Sequence, residues 1–202
     1  MNTLLKRITL VAGVSVVMAL PLSGHASDGT ITFSGAVTAN TCTLSVNSGG
    51  ASATVTLPTV DTVALAGGSA PYTTAAGTFF SIDVSGCTNP AVADIGGSAP
   101  SHVAIYFEAG PNVDQATGGL INTASSGSNV EVKLYNASGS TVVGTQIMPG
   151  TSGAGSNQPS TMSVTSGGTQ WFYAGYSTTG AGASGATAGA VSTTITYSLI
   201  YS

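Results

Sequence analysis

Charged residues are scarce in this sequence of 202 residues, which has three Lys and Arg residues and seven Asp and Glu residues. Two of the three cations, Lys6 and Arg7, precede an apolar run near the amino terminus. Beyond that run one lysine, Lys133, accompanies all seven acidic residues, a net charge of about −6. A chain with one cation cannot neutralise a phosphate backbone, which excludes nucleic-acid binding as a function class. Attraction to an anionic membrane surface is equally unsupported.

Long hydrophobic runs are also missing, and no apolar stretch approaches the length of a membrane-spanning helix. The apolar run at residues 8–20 is too short to cross a bilayer, and it follows the positive pair described above. Small residues, Gly24 and Ala26, come next and mark a cleavage site. We therefore expect residues 1–26 to be a secretory signal peptide, with Ser27 as the first mature residue. The remainder is long enough for one domain with a hydrophobic core.

Groups that carry catalysis or bind metals are nearly absent after residue 26. His102 is the only imidazole there, and it opens an apolar strand, where a surface histidine is the expected interpretation. No G-x-S-x-G elbow, P-loop, HExxH, EF-hand loop or dinucleotide fingerprint occurs. The carboxylates are scattered, so no glycosidase pair is nominated. The sequence predicts a protein that is not an enzyme and that has no cofactor and no metal.

Cysteine is limited to two residues, Cys42 and Cys87. An even count in an exported chain predicts one disulfide bond. The chain-entropy model gives such a bridge about 4 kcal/mol of stabilisation, because the loop that it closes is long. Two thiolates alone do not make a metal site, since the other ligands are missing.

Apolar and polar residues alternate at both ends of the sequence, which is typical of β-strands. A strand at a chain terminus exposes backbone N–H and C=O groups that invite pairing with another chain. Two such strands predict a protein that joins copies of itself or of its relatives. One face of the carboxyl-terminal pattern carries Val191, Thr193, Ile195, Tyr197, Leu199 and Tyr201, and the amino-terminal pattern carries Ile31, Phe33, Gly35, Val37 and Ala39.

Between the two ends, short strand-like runs follow one another with Gly, Ser, Ala and Thr stretches between them. No segment after residue 26 has a helical period and no domain boundary stands out, so the pattern predicts an all-β sandwich or barrel. The aromatic cluster of Trp171, Phe172, Tyr173 and Tyr176 is interpreted as core and cross-strand packing. The alternative is that these residues line a sugar-binding groove. The predicted strands cover residues 31–37, 43–46, 53–57, 78–85, 102–107, 130–135, 141–147, 161–164, 170–176 and 191–201.

Motifs along the mature sequence resemble those of the type 1 fimbrial subunits of the chaperone–usher class. The segment 29–37 followed by Cys42 resembles the amino-terminal extension of that family and its first cysteine. Cys87 resembles the second cysteine. Gly189, which is fourteenth from the end, and the penultimate Tyr201 match the carboxyl-terminal pattern of the family.

The resemblance implies an incomplete immunoglobulin-like β-sandwich that a donor strand from a neighbouring subunit completes. It implies an extension at residues 27–41 and a pilin domain at residues 42–202. The resemblance also implies that a periplasmic chaperone first fills the groove beside the last strand, and that other pilin subunits then replace it at the outer-membrane usher, so that a fimbria for cell adhesion grows on the cell surface. The implied donor residues are Gly29, Ile31, Phe33, Gly35, Val37 and Ala39, and the implied groove strand carries Gly189, Val191, Thr193, Ile195, Tyr197, Leu199 and Tyr201.

Two other function classes remain open at this point. One is a secreted β-sandwich that binds carbohydrate or acts as an enzyme. The other is an outer-membrane β-barrel, which also alternates along its strands and often ends in an aromatic strand. The disulfide, the irregular strand lengths and the polar Ser202 count against the barrel.

Overall fold

Short antiparallel strands make up nearly all the regular structure in a computed structural model of the chain, which describes residues 41–65, 76–88, 100–126, 128–153, 155–178 and 185–202. These residues belong to one compact unit, which spans Gly35–Ser202. The predicted signal peptide and the predicted donor residues lie outside the described residues. Within the described part, no helix is long and apolar enough to cross a membrane.

The strands are numbered here in chain order, and one 3-10 turn at Thr62–Leu65 lies between the first two. They are β1 (Thr41–Val46), β2 (Gly77–Thr88), β3 (His102–Phe107), β4 (Val113–Asp114), β5 (Gly119–Ile121), β6 (Val130–Ser138), β7 (Thr141–Gln146), β8 (Met162–Ser163), β9 (Gly168–Thr178) and β10 (Tyr197–Tyr201).

Two antiparallel sheets form the fold. The larger has the order β1-β2-β9-β6-β5-β4, with β7 also paired to β6, and the smaller has the order β10-β3-β8. The sheets pack against each other through aromatic residues: the ring of Phe107 in β3 meets that of Phe172 in β9 edge to face, with centroids 5.2 Å apart. The prediction of an all-β sandwich is therefore confirmed.

The core follows from the period of two in the strands, which sends every second side chain to the same face. In β3, Val103, Ile105 and Phe107 are at most 1% exposed, whereas His102 at the start of the strand is exposed. In β2, Phe80 and Ile82 are buried against the same core. A shift of one residue would turn these side chains to the opposite face, so burial fixes the strand register.

The aromatic residues of β9 divide between the two faces of the larger sheet. Phe172 points into the core, and Tyr173 packs on Phe79 of β2 with ring centroids 4.8 Å apart. The interpretation as core and cross-strand packing is confirmed for these two residues. Trp171 departs from it, since this side chain is 40% exposed.

Two predicted strands are shorter than expected or absent. Residues 53–57 form no strand, and of the predicted strand at residues 191–201 only Tyr197–Tyr201 pairs as β10. The partner strand β3 ends at Phe107, which pairs with Tyr197, so among the described residues no strand continues this ladder before Tyr197. The strand assignment is therefore wrong for Gly189, Val191, Thr193 and Ile195.

The hairpin of β4 and β5 was not predicted, because it lies in a stretch rich in turn-forming residues. Asp114 closes this hairpin: its carbonyl accepts from the N–H of Gly118, and its Oδ1 accepts from the N–H of Ala116. Gly118 has a φ of 66°, a conformation that glycine adopts without steric cost. Strands of two and three residues are too short to show a periodic pattern.

Candidate functional site: an apolar groove between two unpaired chain segments

The disulfide bond joins the first strand to the second at the edge of the larger sheet. Cys42 in β1 is bonded to Cys87 in β2, so the predicted pairing is confirmed. The hydroxyl of Tyr201 in β10 lies 3.4 Å from the sulfur of Cys42. The edge strand of the larger sheet is thus fixed covalently to its neighbour and contacts the last strand of the smaller sheet.

A groove of about 1250 Å³ opens between two chain segments, residues 51–62 and residues 186–197, which form its walls. Core residues from the larger sheet form its floor. Asp61 is the only charged residue among the described residues that line it. Such a groove suits an uncharged, apolar occupant of extended shape. The floor includes Phe80, Ile82, Val132, Leu134 and Ala174.

Side-chain hydroxyls hold the first wall, residues 51–62, where a strand ladder is missing. Tyr176 donates to the carbonyl of Pro58 at 3.0 Å, and Thr78 donates to the carbonyl of Thr56 at 2.7 Å. Burial raises the pKa of the Tyr176 hydroxyl above its ordinary value of 10.0. The hydroxyl therefore stays protonated, and able to donate, throughout the physiological pH range.

The second wall, residues 186–197, keeps the predicted alternation although most of it is not in a strand. Val191, Thr193 and Ile195 are half-buried, whereas Ser192 and Thr194 are exposed. Val191 and Ile195 pack against the core, as do Tyr197, Leu199 and Tyr201 of β10. The face predicted from the sequence is therefore the face that lies over the core, and backbone pairing is the part that differs.

The backbone groups of this wall divide into a paired side and an unpaired side. The carbonyls of Ala190, Ser192 and Thr196 accept hydrogen bonds from residues 108–128. In an extended chain, the residues between these three direct their N–H and C=O groups to the opposite side. In the described part of the chain, those of Val191, Thr193 and Ile195 have no hydrogen-bond partner.

Residues 197–199 of β10 continue this open side, because β10 is an edge of the smaller sheet in the described structure. Its even-numbered residues pair with β3, as the two hydrogen bonds between Ser202 and His102 show. A polar side-chain atom on the same wall is also unsatisfied: the buried Oγ1 of Thr193 has no partner among the described residues. An open strand edge above an apolar floor is a site for pairing with another extended segment.

The ion pair of the described structure lies outside the groove. Lys133 and Glu131 of β6 form an ion pair at 3.2 Å, and Thr117 donates to the second oxygen of Glu131 at 2.8 Å. None of these three residues lines the groove. Within the described ranges, no group of acidic, histidine and cysteine residues is placed to hold a metal ion.

The predicted site residues are brought together only in part. The groove wall contains Gly189, Val191, Thr193, Ile195 and Tyr197. The predicted donor residues are outside the described structure, so their position stays a prediction. Sequence reasoning predicted a strand at residues 53–57 but did not identify residues 51–62 as the opposite wall, because the side chains that hold this wall are distant in sequence.

Comparisons with known proteins agree on one family. The family model of type-1 fimbrial protein (FimA) matches residues 57–202. The chain is 37% identical over 192 residues to the major fimbrial subunit SMF-1 of Stenotrophomonas maltophilia (strain K279a), covering 91% of this chain and 98% of that protein. It is 42% identical over 120 residues to the F17 fimbrial protein of Escherichia coli, covering 56% of this chain and 58% of that protein.

A solved structure shares the fold of this chain. A chain from a chaperone–usher pilus superposes with a TM-score of 0.50 and 19% identity, covering 87% of this chain and 96% of that chain. The P pilus rod subunit PapA has a TM-score of 0.45 and 21% identity, covering 86% of this chain and all of that chain (100%). Membership of this family favours a fimbrial subunit over the two other function classes considered above, the secreted β-sandwich and the outer-membrane β-barrel. The chain belongs to the type-1 fimbrial protein family, and it is a structural subunit of a chaperone–usher fimbria at the cell surface.

Proposed function

We propose that the groove receives an extended segment of another subunit, which pairs with the open side of residues 191–199 and completes the smaller sheet. The observation that carries this proposal is the open edge itself: backbone groups of Val191, Thr193 and Ile195, which lie above the apolar floor, have no hydrogen-bond partner among the described residues. A strand in this place satisfies those groups and covers the core at the same time. Chaperone–pilin complementation is a known example of such strand addition.

The energy available to such a strand is large. Each apolar side chain that enters the groove contributes about 1.5–3 kcal/mol on burial. Each main-chain hydrogen bond along the open edge adds about 1 kcal/mol. A strand with three buried apolar side chains and several hydrogen bonds thus gains an amount comparable to the total stability of a small domain. Fibres joined in this way need no covalent link between subunits.

The donor is the extension at residues 27–41 of a second copy or of a related subunit. Ile31, Phe33 and Val37 alternate with polar residues, so they enter the groove together from one face of a strand. Gly35 lies on the same face and adds no side chain, which fits a place where the floor of the groove is close. The donor residues Gly29 and Ala39 border this set.

Before assembly, a periplasmic chaperone occupies the same groove, and an outer-membrane usher exchanges it for the next subunit. The signal peptide at residues 1–26 directs export to the periplasm. Subunits with an open apolar groove would aggregate, because an exposed strand edge over a hydrophobic floor pairs with any extended chain. Subunits therefore travel with the groove filled, and the protein has a structural rather than an enzymatic role.

Deletion of residues 27–39 tests the proposal. The shortened chain keeps both cysteines and the whole groove, so it should form a soluble one-to-one complex with the chaperone and no fibres. Electron microscopy of cells and purification of the complex give the two measurements. Replacement of the same residues by a Gly/Ser segment of equal length is the matched control for spacing and should also abolish fibres. Fibres of normal length from either variant would contradict the proposal.

A further inference from the structure

We infer that three asparagines, Asn112, Asn122 and Asn129, act as positioning residues that hold residues 187–194 extended and so present their open edge to the donor strand. These three residues are called the asparagine clamp below. The inference rests on the proposed function. It adds a mechanism that keeps the groove in shape where no described strand pairs with the wall. None of the three asparagines lines the groove.

Asn122 is the centre of the clamp. Its Nδ2 donates to the carbonyls of Ser128 and Ala190, both at 2.9 Å. Its Oδ1 accepts from the N–H of Ser192 at 3.0 Å and from the N–H of Ala124 at 3.1 Å. A side-chain amide has two donor hydrogens and two acceptor lone pairs, so all four are used. Two of the four bonds hold the groove wall, and two fix the loop that carries Asn122.

The other two asparagines hold the two ends of the same segment. Oδ1 of Asn129 accepts from the N–H of Thr187 at 2.7 Å, and the N–H of Asn129 donates to Oγ1 of Thr187 at 3.2 Å. Nδ2 of Asn112 donates to Oγ1 of Thr194 at 2.7 Å. The clamp thus contacts the wall near its beginning, its middle and its end.

Side chains supplement the backbone here, because only single backbone hydrogen bonds, and no regular strand pairing, hold this wall within the described structure. Strand β3 ends at Phe107, and the next main-chain contact along the wall is the N–H of Glu108 with the carbonyl of Thr196. Further along, Thr123 donates through both its N–H and its hydroxyl to the carbonyl of Ser192. An asparagine amide carries the same donor and acceptor groups as a peptide unit, so it substitutes for a missing strand partner.

The direction of these bonds matters for the donor strand. Because the clamp takes the groups of Ala190 and Ser192, the alternate groups of Val191 and Thr193 point to the groove. A wall held in this way is preorganised, so the donor strand does not have to order it on binding. Loss of the clamp leaves residues 187–194 free to sample other conformations, and donor uptake becomes slower.

The test uses the full mature chain, refolded from denaturant with a fluorescein-labelled synthetic peptide of residues 27–39, and measures peptide uptake by anisotropy. Asn122→Ala should slow uptake at least tenfold. Asn136→Ala is the matched control, because Asn136 donates to the carbonyl of Asn157 at 2.8 Å and does not line the groove. This control should change uptake less than twofold.

Hydrogen exchange read out by mass spectrometry separates positioning from general destabilisation. In Asn122→Ala, the two hydrogen-bonded amides of residues 187–194, those of Thr187 and Ser192, should exchange at least tenfold faster before peptide is added, with the amides of β2 and β9 within twofold of wild type. If peptide uptake and local amide exchange of Asn122→Ala stay within twofold of wild type, the inference is overturned. A uniform increase in amide exchange across all strands would also overturn it. If Asn122→Ala does not fold, Asn112→Ala decides: it should slow uptake two- to fivefold, and wild-type behaviour overturns the clamp. Failure of the wild-type chain to take up the peptide would instead refute the proposed function.

Discussion

The hydroxyl of Tyr197 donates a hydrogen bond of 2.6 Å to the carbonyl of Ala51, and this bond joins the two walls of the groove. The ring of Tyr197 also packs toward Phe107, with centroids 6.5 Å apart, so the side chain is held at both its apolar and its polar end. Since Tyr197 is the first residue of β10, the link lies where regular pairing begins. The groove is therefore bounded at this end by a contact that depends on one hydroxyl group.

Tyr197→Phe removes that hydroxyl and keeps the ring. We expect the free energy of unfolding of the peptide-complemented chain to fall by about 1 kcal/mol, the typical net value of one hydrogen bond. Chemical denaturation measures it. Tyr106→Phe is the matched control, because Tyr106 is on the same sheet and its hydroxyl has no hydrogen-bond partner in the described structure. Equal losses in the two variants would show that the bond to Ala51 has no stabilising role.

High pH should weaken the fold through three partly buried tyrosines, of which Tyr176 and Tyr197 line the groove. Desolvation by burial raises the pKa of Tyr176, Tyr197 and Tyr201 above the ordinary value of 10.0. A raised pKa in the folded state means that this contribution to stability is complete below pH 10 and is lost as the pH rises through the raised values. Denaturation midpoints measured from pH 8 to pH 12 should fall above pH 10. The fall should be smaller when all three residues are changed to Phe, and an identical profile would contradict the assignment.

The unpaired hydroxyl of Thr193 predicts a stabilising substitution. A buried hydroxyl without a partner costs about 1–3 kcal/mol, and valine has nearly the same shape without the polar atom. We expect Thr193→Val to raise the free energy of unfolding by about 1 kcal/mol. Thr194→Val is the contrasting variant and should lower it, because the hydroxyl of Thr194 accepts from Asn112. A loss of stability in both variants would show that Thr193 has a partner in the assembled state.

Sequence periodicity predicted the parts of this fold in which burial alternates along a strand. In β3, the predicted range matches the observed strand, because Val103, Ile105 and Phe107 alternate with less buried residues. The same period identified the buried face of residues 191–195, even though no ladder forms there. Side-chain burial is a local property of the pattern, whereas backbone pairing depends on where another strand ends.

The two groove walls contain contacts that could not be predicted from the sequence. Residues 51–62 are positioned by Tyr176, Thr78 and Tyr197, which are distant in sequence and have no spacing that identifies a partner. The contact of Asn122 with Ser192 spans 70 residues. Single asparagines in loops are normally interpreted as turn formers, so their role as strand substitutes becomes visible only in three dimensions.

Gly35 gives the most sensitive test of the donor strand, because the sequence places it on the same face as Ile31, Phe33 and Val37. Gly35→Leu puts a large side chain where the strand predicts a shallow part of the groove, and overpacking costs about 1–3 kcal/mol. We expect the variant to fold, to bind the chaperone and to accept a donor in its own groove, but to fail as a donor. Strand exchange advances residue by residue, so one blocked position stops it. Mixing the variant complex with wild-type complex should shorten the fibres seen by electron microscopy, with Gly35→Ala as a milder control. Polymerisation of Gly35→Leu alone at the wild-type rate would show that the assigned register of the donor strand is wrong.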